Sequence, residues 1–259
     1  MKQLITALLF FSTILISAQN KTIAAGEKLV FSATYNMSGL LNEIAQVTME
    51  TSEVKTSKST LLKLKCTAAT YSKWDSFFKI RDLYESYVNP SSLKPYLYNR
   101  DIYEGGYEKR MKYKFNHRSQ IADSEKRKKN SKGEYWTEKK KVRIGADTKD
   151  LVSTLYFIRN LDIHKASVGD RQNFTIIFDN EETNVTITYV NKETINTALG
   201  RKECYKLSIG LANNDVLQGS QNNLIWLTAD QNRIPVYAKF KIPVGNGELK
   251  IKSASGLKY

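Results

Sequence analysis

Any chemistry in this chain has to come from two histidines, two cysteines and a scatter of carboxylates. His117 and His164 each lack a second ligand at metal spacing. The sequence holds neither His-Glu-x-x-His nor Cys-x-x-Cys, so neither a metal centre nor a cofactor site is expected. His117, beside Arg118 in a basic run, reads as a surface side chain, and His164 as a structural one. A thiolate nucleophile needs an oriented base, and Cys66 and Cys204 lie in strand-like runs with no such partner legible. In such runs a lone thiol usually serves as a small buried apolar group, while an oxidising compartment would also allow the two a disulfide. There is no Gly-x-Ser-x-Gly elbow and no phosphate loop. Glycoside cleavage needs two convergent carboxylates. The candidates Asp75, Glu85, Asp101 and Glu104 are scattered, and their spacing gathers none of them. Asp230 and Arg233 read as turn-shaping residues that share a surface ion pair worth about 0–1 kcal/mol.

What the chain carries in quantity is positive charge. Its formal net charge is +14, and between Lys109 and Arg143 stand 14 Lys/Arg against 4 Asp/Glu. Lys109, Arg110, Lys112, Lys126, Arg127, Lys128, Lys129, Lys139, Lys140 and Lys141 are therefore the candidate anion-binding residues. Such a patch attracts anions over a Debye length of about 8 Å in physiological salt; a solvated face that keeps the protein soluble is the plainer reading of the same residues.

These residues are set on a chain patterned for strands. Ile234, Val236, Ala238 and Phe240 alternate with Tyr237, Lys239 and Lys241, a period of two that gives one buried and one wet face. Leu224 to Thr228 precedes that row across the Ala229 to Asn232 turn cluster, and Leu249 and Ile251 continue it beyond Gly245-Asn246-Gly247. Upstream, strands are expected over Gly26 to Tyr35, Glu43 to Val54, Thr60 to Ala69, Ile80 to Val88, Pro95 to Tyr103, Tyr107 to Phe115 and Tyr135 to Ile144. Ile121 to Ser124 starts a partner strand, with Glu125 to Gly133 as a charged tip. Strands are also expected over Asn173 to Phe178, Val185 to Val190 and Glu203 to Ile209. One segment changes period: Asp147 to Asn160 places Leu151, Leu155 and Ile158 on one helical face, with Asp147 or Thr148 as the cap.

Many short strands joined by tight turns, with a single helix, point to an all-β protein. Sheets of this kind escape exposed edges by closing. The expected fold is an antiparallel closed or nearly closed β-barrel with one helix at its end or mouth, in one domain over residues 20–259. Met1 to Gln19 carries Lys2, an apolar run from Leu4 to Ile16 and small residues at Ser17-Ala18, the pattern of an export signal. No later stretch is long and apolar enough to span a bilayer.

Three stretches together resemble the domain-of-unknown-function family 3108. They are Gly26-Glu27-Lys28-Leu29-Val30-Phe31, Asp150 to Arg159 (DLVSTLYFIR), and Trp226 to Asp230 (WLTAD) with Arg233-Ile234-Pro235-Val236. The resemblance implies an exported bacterial envelope protein with a β-barrel similar to capsule-biogenesis lipoproteins, and it implies no catalytic residues.

The expected function is that of a non-enzymatic envelope protein, in the periplasm or outer envelope of a Gram-negative bacterium. It would bind or scaffold an anionic lipid, lipopolysaccharide or an acidic glycan, or an envelope partner. Export disfavours nucleic acid. Trp226 and Phe240 are the candidate barrel-lining residues, with plain core packing as their other reading. The alternatives are an enzyme acting on envelope polysaccharide, and a structural protein presenting its basic hairpin.

Overall fold

The protein is described by a computed structural model covering residues 19–37, 40–130, 132–211, 223–242 and 245–259. The expected export signal lies outside the described residues except for Gln19.

A first run of strands comprises β1 (Lys28–Met37), β2 (Leu40–Lys55), β3 (Thr60–Thr70), β4 (Arg81–Val88), β5 (Pro95–Glu104), β6 (Tyr107–Asn116), β7 (Ile121–Lys129) and β8 (Tyr135–Arg143). After the helix α1 (Leu151–Ile158) come β9 (Arg171–Phe178), β10 (Glu181–Thr197), β11 (Gly200–Leu211), β12 (Leu224–Thr228), β13 (Pro235–Ile242) and β14 (Gly245–Ser255). All pair antiparallel in one sheet, ordered β8-β7-β6-β5-β4-β3-β2-β1-β14-β13-β12-β11-β10-β9. Two meanders thus meet where β1 pairs β14. Register shifts in the β1–β2, β1–β14, β4–β5, β10–β11 and β12–β13 pairs curl the sheet, because each extra residue sharpens local bend and twist.

Of the expected closed or nearly closed barrel, the closed form is corrected: the sheet is all-β, antiparallel and barrel-like, but its hydrogen-bonded ladder does not close. β8 and β9 are the two edges. The reason is local. Lys149, on the segment leading from β8 into α1, makes a parallel bridge to β9: its N–H donates to Thr175 O (3.1 Å), and Ile177 N–H donates to its carbonyl (2.9 Å). That connection takes the place beside β9 that β8 would need. The other edge, β8, carries Lys139, Lys140 and Lys141, charges that discourage pairing with another chain.

The same bridge moves the helix start. Ala146 and Asp147 lie in a turn and Lys149 in the bridge, so Asp150, not Asp147 or Thr148, is the cap. Its carboxylate accepts from Ser153 N–H (2.8 Å), and Ser153 Oγ accepts from Asp150 N–H (3.0 Å), a reciprocal capping box. Ser86 Oγ on β4 donates to the other Asp150 oxygen (2.6 Å), which docks the helix N-terminus inside the curled sheet. Val152, Ser153, Thr154, Tyr156 and Ile158 are all buried, so almost every face of this short helix is covered. Burial pushes the Asp150 carboxyl up to about 6.

One apolar cluster joins Leu29, Phe31, Met49, Leu64, Tyr98, Tyr113, Val152 and Tyr156; a second joins Ile158, Ile176, Val185, Ile187, Leu207, Ile225 and Leu227. The β9–β10 turn tucks into the first meander. Asn180 N–H donates to Tyr113 OH (3.0 Å), Ser124 Oγ donates to the Asn180 side chain, and Asp179 pairs with Arg100 (3.2 Å) and Lys109 (2.6 Å). The expected charged tip at Glu125 to Gly133 is corrected too. Lys126 to Lys128 pair with Met111, Arg110 and Lys109, so β7 runs on through the basic stretch to Lys129.

Candidate functional site

Residues directly paired across strands share a face, and this separates the two sides of the sheet. Phe31 pairs with Val47 and Ile251, Met49 with Cys66, and Leu249 with Ala33 and Ala238. That face looks inward. It lines a pocket of about 280 Å³, near the lower end for small-molecule sites, whose walls include Phe31, Val47, Met49, Cys66, Phe240 and Leu249 with Leu155 from α1. Phe240 lies against Gly247, where an added Cβ would sit 2.3 Å from the ring, so glycine is what lets the ring form this wall. Burial pushes the Cys66 thiol up to about 12, and a thiol so protonated is a poor nucleophile. Both cysteines are free, on β3 and β11.

Trp226, expected beside Phe240 in the lining, turns to the other side. It pairs with Tyr237 and Lys206, and its indole packs on the Tyr237 ring (centroids 4.7 Å) and donates to Glu193 (2.6 Å). The physical reason is the one-residue register of β12: with Ile225 opposite Ala238, Trp226 shares the face of Tyr237, where it is 4% exposed and packs as a member of the main apolar cluster.

The candidate cations also divide by face. Lys109, Lys126, Lys128 and Lys140 share the inward side with Met111, Tyr113 and Ser124. Lys109 is buried and paired with Asp179, and Lys126 pairs with Glu138 (2.5 Å). Burial lowers the Lys109 ammonium, partly offset by Asp179. Arg110, Lys112, Arg127, Lys129, Lys139 and Lys141 stand on the outer side. There Arg110 meets Asp101 (2.9 Å), Lys129 meets Glu108 (3.0 Å) and Lys139 meets Glu125 (3.8 Å). The expected single patch is therefore two, one on each side of the sheet.

Of the four scattered carboxylates, Asp75 pairs with Arg81 (2.5 Å), Glu85 with Lys63 (2.6 Å) and Asp101 with Arg110. Only Glu104 meets another acid, Asp82. Burial and the Glu104 charge raise Asp82 to about 7, while the Tyr103 N–H and the Tyr84 hydroxyl partly hold it down. His117 Nε2–H donates to Pro95 O (2.7 Å) and the ring stacks on Phe115, and His164 meets Arg233 (3.2 Å). Arg233 turns away from Asp230 and donates to Leu161 O, so the expected Asp230–Arg233 pair gives way to a link onto the chain after α1. Asp230 instead accepts from Thr228 Oγ1 and from the Asn232 and Arg233 N–H groups. Among the described residues no group of three or more His, Cys, Asp or Glu is placed to hold a metal ion.

In an up-and-down sheet alternate turns lie at the same end. The β3–β4, β5–β6 and β7–β8 turns therefore share an end with the β12 start and the β13 finish, where Leu224 and Phe240 line the pocket. Around those three turns stand exposed Phe77, Phe78, Tyr107, Tyr135 and Trp136. Lysine and arginine are interleaved with them: Arg127 lies over the Tyr135 ring (4.1 Å), Lys128 over Tyr107 (5.2 Å) and Lys126 over Trp136 (5.3 Å). Sequence reading saw these basic residues but not the aromatic ring around them, because its members come from three separate turns.

One curled antiparallel sheet wrapped around a helix and open along a single seam defines a barrel-like all-β protein. The chain belongs to the family described as a protein of unknown function, DUF3108, whose model matches residues 30–252. No curated protein matches it by sequence. The fold is shared with the crystal structure of a β-barrel-like protein of domain of unknown function DUF1849 from Brucella abortus. That chain is 9% identical, with a TM-score of 0.59 over 90% of this chain and 98% of that one. A structure described as an exported protein with a YmcC-like fold, from Bacteroides fragilis, is also 9% identical. It matches with a TM-score of 0.33 over 92% of this chain and 99% of that one.

Proposed function

We propose that this protein is an exported, non-enzymatic binding module of the bacterial cell envelope that holds an anionic amphiphile. Its apolar chain would enter the pocket walled by Phe31, Met49, Leu155, Phe240 and Leu249, and its headgroup would lie toward Lys239, the cation in the pocket lining. The carrying observation is the pocket of about 280 Å³, whose walls are nearly all apolar. Such walls reward burial of hydrocarbon, at about 25 cal/mol per Å², and offer a glycan few partners for its hydroxyls. This favours a lipid over an acidic glycan. Export rests on the Met1 to Gln19 pattern, and residence in the periplasm or outer envelope of a Gram-negative bacterium on what the family resemblance implies.

The test is displacement of a fluorescent fatty-acid analogue from the purified protein by an unlabelled anionic amphiphile. Saturable binding is expected, weakened by Leu155→Phe, which fills the pocket from the helix. No binding by the wild type, or equal binding by the filled variant, ends the proposal. Native mass spectrometry of protein taken from the envelope fraction would then read the mass of what it carries.

A further inference from the structure

Exposed large apolar side chains are unevenly distributed. Phe77 is 71% exposed, Tyr135 48%, Phe78 46%, and Tyr107 and Trp136 41% each. Together they make up five of the eight such residues among those described, and all five belong to the β3–β4, β5–β6 and β7–β8 turns or the strand ends beside them. Single exposed apolar groups are ordinary; several collected at one end mark a contact surface.

The arrangement is built. The Phe78 ring rests on Gly105 of the β5–β6 turn, where an added Cβ would lie 2.4 Å from it, so the ring is held at the rim by a neighbouring hairpin. Tyr135 donates to Glu108 (2.5 Å), which also pairs with Lys129, so its ring is fixed at the tip of the second hairpin. Cations sit among the rings: Lys128 over Tyr107, Arg127 over Tyr135, Lys126 over Trp136, and Lys73 over Trp74 (5.8 Å) in the β3–β4 turn. Lys132 stands exposed at the β7–β8 turn.

The mixture tells which partner fits. The centre of a protein–protein contact is depleted of lysine, whose charge must be desolvated there. A lipid surface poses no such conflict. Tyr, Trp and Phe rings settle at the headgroup level while lysine and arginine reach anionic phosphates, the combination found where proteins meet membrane interfaces. We infer that this rim docks on an anionic lipid surface, with Phe77 and Phe78 entering the interface and Arg127, Lys128 and Lys132 facing the phosphates. The inference rests on the amphiphile-binding reading above and deepens it: the rim lies at the end of the sheet where Leu224 and Phe240 wall the pocket, so docking would present that side of the pocket to the lipid layer.

The test is co-sedimentation of the full chain with vesicles of equal parts phosphatidylglycerol and phosphatidylcholine, against vesicles of phosphatidylcholine alone. Binding to the anionic vesicles is expected, falling by about tenfold or more on the neutral ones and on raising salt. Phe77→Ser and Lys132→Glu, both at exposed positions, should each weaken it while melting as the wild type does. Absence of sedimentation with anionic vesicles, or full sedimentation of the Phe77→Ser/Lys132→Glu double variant, overturns the inference. Leu155→Phe separates the two readings. Vesicle binding that survives in that variant is expected, and failure of fatty-acid displacement in the wild type beside intact vesicle binding would fault the pocket and not the rim.

Discussion

Arg159, at the end of α1, and Glu27, at the entry to β1, form a two-point ion pair with distances of 2.6 and 2.7 Å, and neither side chain is more than 1% exposed. The remaining guanidinium donors go to Asn232 O (2.9 and 3.3 Å) and Thr22 O (3.5 Å). Asn232 in turn exchanges hydrogen bonds with the backbone of Tyr259. The first two stretches that carry the family resemblance thus meet in this ion pair, and Arg233 of the third joins them by donating to Arg159 O (3.4 Å). Helix, first strand and closing hairpin are thereby clasped around a buried, hydrogen-bonded charge.

Removing one partner of such a pair leaves the other charged in a dry site, at a cost of about 3–5 kcal/mol. Glu27→Gln and Arg159→Met should each lose stability on that scale in urea unfolding. The double variant should lose less than the sum, because it strands no charge. A single-variant loss below about 1 kcal/mol would show that water reaches the pair.

Gly247 has a role its sequence position does not announce. An alanine there would place its Cβ 2.3 and 2.4 Å from two ring carbons of Phe240, forcing the ring from its seat. Gly247→Ala should destabilise by about 1–3 kcal/mol through overpacking and weaken fatty-acid binding as the pocket wall shifts. Adding Phe240→Ala should restore most of the stability while leaving binding impaired. Thermal melts and dye displacement on the same three proteins separate the two effects.

How far the sequence reaches is visible in these residues. The period-two rows of β1, β6 and β13, the single helix and the Asp230 turn are local patterns, and local patterns are what a sequence displays. The seam is not local: it depends on Lys149 bonding to β9, a parallel contact no alternation encodes. β7 was hidden for a related reason, since Glu125 to Lys129 look like a solvated tip until their partners on β6 are known. Trp226 packs on the face of Tyr237 because its side is set by the register against β13, whereas Phe240, the other expected lining residue, does wall the pocket.

The acid pair in the interior sets a pH dependence. Asp82 is raised from 3.8 to about 7, by burial first and by the Glu104 charge second. Across that window the folded protein keeps a proton that the unfolded chain releases, so stability falls as pH rises from about 4 to about 7. Asp150, raised to about 6, acts in the same direction, so the informative quantity is a difference. Asp82→Asn should flatten the profile relative to wild type without abolishing its slope. Parallel profiles for the two proteins would count against a shared proton at Asp82 and Glu104.

Lys149 makes the complementary case on the alkaline side. Its side chain is only 4% exposed, and its ammonium lies 3.9 Å from the Phe157 ring centroid and donates to Asp147 O (3.0 Å). Burial lowers it from 10.5 to about 8; Lys94 adds to the shift, and Asp147 and Asp150 oppose it. Between about pH 8 and about 10.5 the unfolded chain holds a proton the folded one has shed, so this group makes stability rise with pH there. A difference of that size is equivalent to about 3 kcal/mol at 1.36 kcal/mol per unit. Lys149→Met keeps the aliphatic stem and the backbone bridge to β9 and removes the charge. It should therefore be more stable than wild type near pH 7, with the gain vanishing above about pH 10. If the methionine variant is less stable at neutral pH, the contact between the ammonium and the Phe157 ring outweighs the cost of burying the charge.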